Sequence, residues 1–461
     1  MFMQNYEDLT SFIQYLATLP KVGEGFALGP FKKLLHLLGN PEKKLRGVQV
    51  VGTNGKGSTA YLTQRILGNL GKKVGLYTSP HLMSHTERIR INDSLISKKD
   101  LLRYFMRVKK ILETSFTTTE RKPTFFEVIT AIAWLYFLEQ GCDYVVNEAG
   151  IGGKLDATTL GSWDVVVITN VTREHTAILG KTIKAIASDK AEAIWPKATV
   201  VTSTTGVAFD VVREKTKQGS GKLYRYGKDF SAKLTTVNWQ GMEIEYVLGN
   251  QWGHAVSALL GEHQVVNCVD ALQTAWIVAQ ATGVTWDVFT KAAQLAISTA
   301  SWPGRFEQFI HHAPASLPNN TFERLILDGA HNIAGVDCLV ALLSTLKKTG
   351  EKLTIIFGAM KDKPYGAMIT KLATVADDFV FWDLHLTADH QAFGRILPAE
   401  TLQKVGKGTV AHGASEVLEV TWQQYKGKGI TCFCGSLYLL GEVRKEIVGA
   451  VTPVSSPDAL I

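Results

Sequence analysis

The sequence predicts an α/β protein of two domains, each built on a mostly parallel sheet. Three observations carry that prediction. Apolar, β-branched runs of strand length alternate with helix-length amphipathic segments almost throughout the chain. The rhythm breaks over 219–250 and restarts after "SWPGRF" at 301–306. At 461 residues the chain also exceeds what one hydrophobic core usually serves. The boundary is expected near 298. This gives an N-terminal domain of 1–297 and a smaller, Rossmann-like domain of 298–461, with Pro303 and Gly304 in the hinge region.

The elements follow in order. "GVQVVG" reads as a buried strand, and 58–70 as a helix with Tyr61, Leu62, Ile66, Leu67 and Leu70 at helical spacing. "KVGLYT" is a second strand, followed after a loop by helices around 101–112 and 125–138. "DYVVNE" and "DVVVITN" are further strands. Short apolar strands separated by helices imply a parallel sheet covered on both faces. The segment 219–250 alternates in polarity and reads as an antiparallel appendage. In the second domain "RLILD", "KLTIIFG", "DFVFWDL" and "GITCFCG" are the expected strands.

Composition narrows the class. The chain is 46% hydrophobic and 20% charged, which is a globular balance. The formal charge of +7 is spread rather than gathered into a basic stripe, so a nucleic-acid partner is not expected. No run reaches the ~18 to 20 apolar residues of a membrane span, and the N-terminus does not read as a signal peptide. The five cysteines are dispersed. Cys432 and Cys434 read as buried strand residues rather than metal ligands, and a reducing cytoplasm is the expected setting.

The chemistry begins at "GTNGKGS", 52–58, between a buried strand and a helix. Glycines let successive N–H groups turn toward an anion, and a helix N-terminus adds positive potential. Gly52, Thr53, Asn54, Gly55, Lys56, Gly57, Ser58 and Thr59 are therefore candidate phosphate-binding residues of a P-loop. Lys56 would reach the outer phosphates, and Ser58 or Thr59 would offer a hydroxyl to Mg²⁺. The spacing differs from the common GxxxxGK[ST] form, since the lysine stands between two glycines.

Later strand ends carry more candidates, at the edge where open α/β sheets bind ligands. Ser79 and His81 follow one strand, Glu148 the next, and His175 a third. A lone histidine is ordinarily a surface residue, but three such ends beside a phosphate loop suggest a Mg²⁺ site of Ser58, Ser79, Glu148 and His175. Lys190, on a helix, reads from its residues alone as a solvated lysine. In the second domain Arg305, Asp328 and His331, the last two in "DGAHN", are placed to face a crevice and, if it opens toward the first domain, to contact a nucleotide.

The motifs "VVGTNGKGST", "TSPHL", "ERIRIN", "EAGIGGKLDATT", "EHTAILGKTI", "GEHQVVN", "WPGRF", "DGAHN" and "KDKP" stand in an order that resembles the folylpolyglutamate synthase and dihydrofolate synthase family of Mur ligases. The likeness spans nearly the whole chain, from Phe31 to "GSLYLLGEV". It implies a P-loop ATPase domain joined to a C-terminal glutamate-ligase domain. The implied reaction uses ATP and Mg²⁺ to activate the carboxylate of a folate, or of dihydropteroate, as an acyl phosphate that L-glutamate then attacks. By the resemblance Lys56, Glu148, His175 and Lys190 are catalytic, Lys190 as a carbamate. The "TSPHL" loop and the segment Thr124 to Glu127 would lie near the pterin-bearing substrate, and the enzyme would be a cytoplasmic monomer. Lys154, Glu174 and Glu192 depart from the family pattern. They leave a second reading open, a weakened or substrate-shifted paralogue that ligates another acid or amine, or nothing.

Overall fold

The structure, a computed structural model, describes residues 9–20, 27–117, 120–384 and 394–449. The chain divides into two compact units at Ala300 and Ser301, with 259–261 grouped with the second.

The first unit holds an eight-stranded sheet. Its strands are β1 (Gly47–Val51), β2 (Val74–Tyr77), β3 (Ile89–Ile91), β4 (Ser94–Leu95), β5 (Tyr144–Glu148), β6 (Val165–Ile168), β7 (Thr199–Thr202) and β8 (Lys222–Arg225). Their spatial order is β4-β3-β2-β5-β1-β6-β7-β8. Six strands run parallel, and the β3–β4 pair adds antiparallel at one edge. All five residues of β1 and all five of β5 are buried, as central strands covered on both faces must be. Helix Phe125–Glu139 is apolar nearly all round, and its Trp134 is fully buried in the core. Capping fixes where it starts: the Thr124 hydroxyl accepts from Glu127 N while the Glu127 carboxylate accepts from Thr124 N.

The expected antiparallel appendage needs a correction at its start. Lys222–Arg225 pairs in parallel with Thr199–Thr202 and closes the main sheet. A half-exposed edge strand shows the same polar alternation as an antiparallel one, so period alone does not separate them. The appendage itself is a three-stranded antiparallel sheet of β9 (Phe230–Asn238), β10 (Gly241–Leu248) and β11 (Gln251–Ser257).

The second unit has six strands: β12 (Glu307–His312), β13 (Phe322–Leu327), β14 (Leu353–Phe357), β15 (Asp378–Asp383), β16 (Thr409–His412) and β17 (Ile430–Cys434). Their order is β12-β13-β17-β14-β15-β16, with β12 antiparallel and the rest parallel. The sequence reading identified β13, β14, β15 and β17. It missed the two outer strands, which are shallowly buried and carry weaker apolar runs. Cys432 and Cys434 are buried in central β17, and all five cysteines are free. No described helix is long and apolar enough to cross a membrane.

Candidate active site

β1 delivers the chain to Gly52, and helix Lys56–Asn69 begins four residues later. Gly55 holds φ 84°, and a Cβ there would come within 2.2 Å of the Asn267 amide oxygen. The loop is stitched to the chain leaving β6. Thr53 N donates to Asn170 O, Asn54 N donates to the Asn170 side chain, and Thr53 Oγ1 accepts from Thr172 N. Lys56 folds back over the turn, its Nζ donating to the carbonyls of Gly52 at 3.1 Å and Thr53 at 3.0 Å. Ser58 Oγ accepts from Gln264 Nε2, whose amide oxygen accepts in turn from Asn267 Nδ2. Thr59 is fully buried, and its hydroxyl oxygen has no hydrogen-bond partner.

Glu148 ends β5 and is 6% exposed. Its Oε2 accepts from Ser79 N at 2.9 Å, which ties the loop after β2 to this carboxylate. On the other side lies Gly57, where a Cβ would stand 3.3 Å from Glu148 Oε1. The absent side chain lets the first turn of the helix approach the acid. His175 stands differently. It is exposed, adopts φ 50°, and has its Nε2 3.8 Å from Glu174. Among the described residues no group of three His, Cys, Asp or Glu side chains is arranged to hold a metal ion. The donors at the loop are a hydroxyl, Ser58, and a carboxylate, Glu148. Such oxygen ligands fit Mg²⁺, which takes few protein ligands and keeps water and phosphate for the rest.

Lys190 overturns the reading of a solvated lysine. It lies on helix Ile183–Ala191, is 4% exposed, and its Nζ donates to Gly52 O at 2.7 Å. Burial pushes its amine down to about 7, with the positive charge of Lys56 adding to the effect. Glu174 acts in the opposite direction, so the residue in the unusual "TREH" run does exert its charge on Lys190. The helix is seated by the glycine turn before it: Gly153 N donates to Asp189 Oδ1, and a Cβ on Gly153 would meet Lys190 O at 2.6 Å. Asp156 holds that turn, accepting from Gly150 N, Ile151 N and Thr158 N. Of the other departures, Lys154 is exposed and Glu192 pairs with Lys215 at 2.8 Å.

In the second unit Asp328 follows β13. Its Oδ2 accepts from Phe306 N and its Oδ1 from Ala330 N, both at 2.9 Å. His331 Nδ1 lies 2.7 Å from Gly329 O. Arg305 packs so closely on Gly329 that a Cβ there would come within 2.1 Å of its guanidinium. These three candidates therefore share one local cluster. Sequence reasoning gave no role to Asn170, Gln264 or Asn267, although "GEHQVVN" had been singled out. It also passed over Ser436, which precedes helix Leu437–Val448, is 2% exposed, and has an Oγ with no hydrogen-bond partner. A serine between a buried strand and a helix was the signal available.

Comparison with known proteins agrees with this geometry. Residues 50–275 match the Mur ligase middle domain, and 304–437 match the Mur ligase glutamate ligase domain. The dihydrofolate synthase/folylpolyglutamate synthase of Bacillus subtilis is 30% identical over 464 residues, covering 96% of this chain and 99% of the relative. The folylpolyglutamate synthase of Lacticaseibacillus casei is 31% identical over 455 residues, with coverage of 96% and 99%. The crystal structure of folylpolyglutamate synthase from Thermotoga maritima superposes with a TM-score of 0.80 at 29% identity, covering 96% and 97% of the two chains. An FPGS–AMPPCP–folate complex gives 0.79 at 29% identity, covering 95% and 99%. Glycine loop, buried lysine and both matched domains thus converge: the chain belongs to the folylpolyglutamate synthase/dihydrofolate synthase family of ATP-dependent Mur-type ligases.

Proposed function

We propose that the chain joins L-glutamate to a folate, and also to dihydropteroate, at the expense of ATP. A carboxylate is a poor acyl donor because oxide is a poor leaving group. Transfer of the γ-phosphoryl group to a carboxylate oxygen releases ADP and gives an acyl phosphate. The glutamate amine then adds to the acyl carbon, loses a proton, and phosphate departs as the amide forms. The 52–58 loop cradles the triphosphate, and Lys56 swings from the Gly52 and Thr53 carbonyls onto phosphate oxygens. Ser58 and Glu148 hold Mg²⁺, with Ser79 and His175 as the remaining family candidates. When bound, the ion supplies the charge neutralisation that lets phosphate and carboxylate approach.

The observation that carries this reading is Lys190, a buried amine bonded to the phosphate loop and pushed down to about 7. An amine must be neutral to add to carbon dioxide, and Lys190 is largely so just above that pH. Its carbamate then presents an anionic oxygen pair beside the loop. In the second unit Arg305, Asp328 and His331 are assigned to the nucleotide. The buried Ser436 hydroxyl, at a helix N-terminus, is assigned to a glutamate carboxylate. The enzyme works as a cytoplasmic monomer. Retention of Lys56, Glu148 and Lys190 speaks against a paralogue that has lost its chemistry.

The test is a mass-resolved assay with Mg-ATP and L-glutamate, in which dihydropteroate, dihydrofolate and tetrahydrofolate are supplied separately. A glutamyl increment on a reduced folate is the expected result, and one on dihydropteroate establishes the second activity. ADP release without a glutamyl product moves the assignment to another acid or amine.

A further inference from the structure

The turn that carries Arg305 is tightly fixed. Gly304 and Phe306 both adopt left-handed backbone, at φ 70° and 49°. Phe306 N donates to Asp328 Oδ2, and Gly304 O accepts from Gly329 N at 2.7 Å. Gly304 N donates to Glu307 Oε2 at 3.0 Å, so the Glu307 side chain bends back over the turn. The guanidinium of Arg305 lies against Gly329 and, among the described residues, makes no hydrogen bond or ion pair.

Glu307 is an acid on the same turn, and it is already taken. Arg444, on helix Leu437–Val448, grips it with two nitrogens. Its Nε lies 3.0 Å from both carboxylate oxygens and its Nη2 2.7 Å from Oε1. The two side chains are 18% and 12% exposed. A carboxylate this dry needs a cation, and removal of its partner leaves a charge that the fold must neutralise elsewhere. Arg305 directly follows Gly304, whose N–H Glu307 already holds. Paired with Glu307, it could not offer its guanidinium fork to a phosphate.

We propose that Arg444 is a positioning residue that keeps Arg305 free for the nucleotide by holding Glu307 in a two-nitrogen clamp. This rests on the nucleotide role given to Arg305 above and names what keeps that role open. Asp328 is kept from Arg305 in a parallel way, since its two oxygens accept from Phe306 N and Ala330 N. Both acids that fix the turn are occupied, and Arg305 keeps its donors unspent.

The first test reads Arg305 directly, without substrate. Phenylglyoxal adds to an unpaired guanidinium, and mass spectrometry of the digested full chain locates the adduct. Arg305 should label readily in the unaltered chain and several-fold more slowly in Arg444→Met, where Glu307 captures it. Adding Glu307→Gln should restore the labelling, because the amide oxygen still accepts from Gly304 N and the side chain carries no charge. Equal labelling in the unaltered chain and Arg444→Met, or no recovery in the double variant, overturns the proposal. If Arg444→Met does not fold, Arg444→Lys carries the same test. An ammonium cannot match the two-nitrogen grip, so labelling should fall part-way and recover with Glu307→Gln. Calorimetry with Mg-AMPPCP then connects the clamp to the nucleotide. Arg444→Met should weaken binding roughly tenfold, as for loss of one charge-assisted hydrogen bond, and the double variant should regain it. In the Arg305→Met background, Arg444→Met should have no further effect. An affinity indifferent to Arg305→Met overturns the nucleotide role of Arg305 and with it the purpose of the clamp, whereas failed labelling overturns the clamp alone.

Discussion

The two units use their charged residues in opposite ways. In the first, Lys56 and Lys190 both donate to the carbonyl of Gly52, and Lys190 is buried at the cost of its own ionisation. In the second, both oxygens of Asp328 are spent on backbone N–H groups and His331 lies against a backbone carbonyl. One cluster is held in tension and the other is a finished shelf. Reactive groups need an environment that disfavours their resting form, whereas a binding shelf needs only fixed geometry. Substitutions should therefore separate chemistry from stability in the first unit and join them in the second.

The largest effect expected is Lys190→Met. Ligase activity should fall on the order of 10²- to 10³-fold, the usual loss when one preorganised electrostatic group leaves an active site. The thermal midpoint should hold or rise, because a buried amine has been replaced by an apolar chain of similar length. A drop in midpoint matching the activity loss would erase the contrast between the units. Next comes Asp328→Ala, which strands two N–H donors and should cost about 1–3 kcal/mol. A lowered denaturant midpoint would show this; unchanged stability would remove Asp328 from the shelf.

The pH dependence sharpens the same contrast. The Lys190 amine is held near 7 in the folded chain and at its ordinary 10.5 when unfolded. Between those values the unfolded state binds the extra proton, so stability should rise with pH from about 7 toward 10 and be flat below 7. Lys190→Met should flatten that rise, as read from denaturant midpoints at several pH values. Gly57→Ala should act more weakly. Its Cβ would crowd Glu148 Oε1 at 3.3 Å, costing about 1 kcal/mol and raising the Mg²⁺ requirement several-fold. The smallest effect belongs to Glu192→Gly. The pair with Lys215 is exposed, and its removal should change stability by no more than about 1 kcal/mol from the lost ion pair.

Much of this was legible in the letters because local physics wrote it. β1 and β5 are unbroken apolar runs, and the glycines of 52–57 stand where a strand meets a helix. Lys190 was legible only through the family resemblance, not from its own residues. Nothing in the helix "IKAIASDKA" marks its lysine as buried, since the partner its amine finds, the Gly52 carbonyl, stands 138 positions earlier in the chain. The roles of Gln264 and Asn267 were hidden for the same reason: they act on the loop from a distant helix, Gln264 bonding Ser58 across 206 positions of sequence. β12 and β16 escaped, and β8 was given the wrong pairing, because edge strands obey sheet geometry with little help from their own composition.

The Gly52 carbonyl shared by Lys56 and Lys190 has a practical consequence. A lysine whose lone pair is free near neutrality takes up isocyanic acid as readily as carbon dioxide, but the resulting urea does not revert. Aged urea solutions release cyanate. Folded protein held in dilute aged urea, below the unfolding range, would acquire a neutral cap on Lys190 where the proposed carbamate would form, and would stay folded by every optical measure while silent as a ligase.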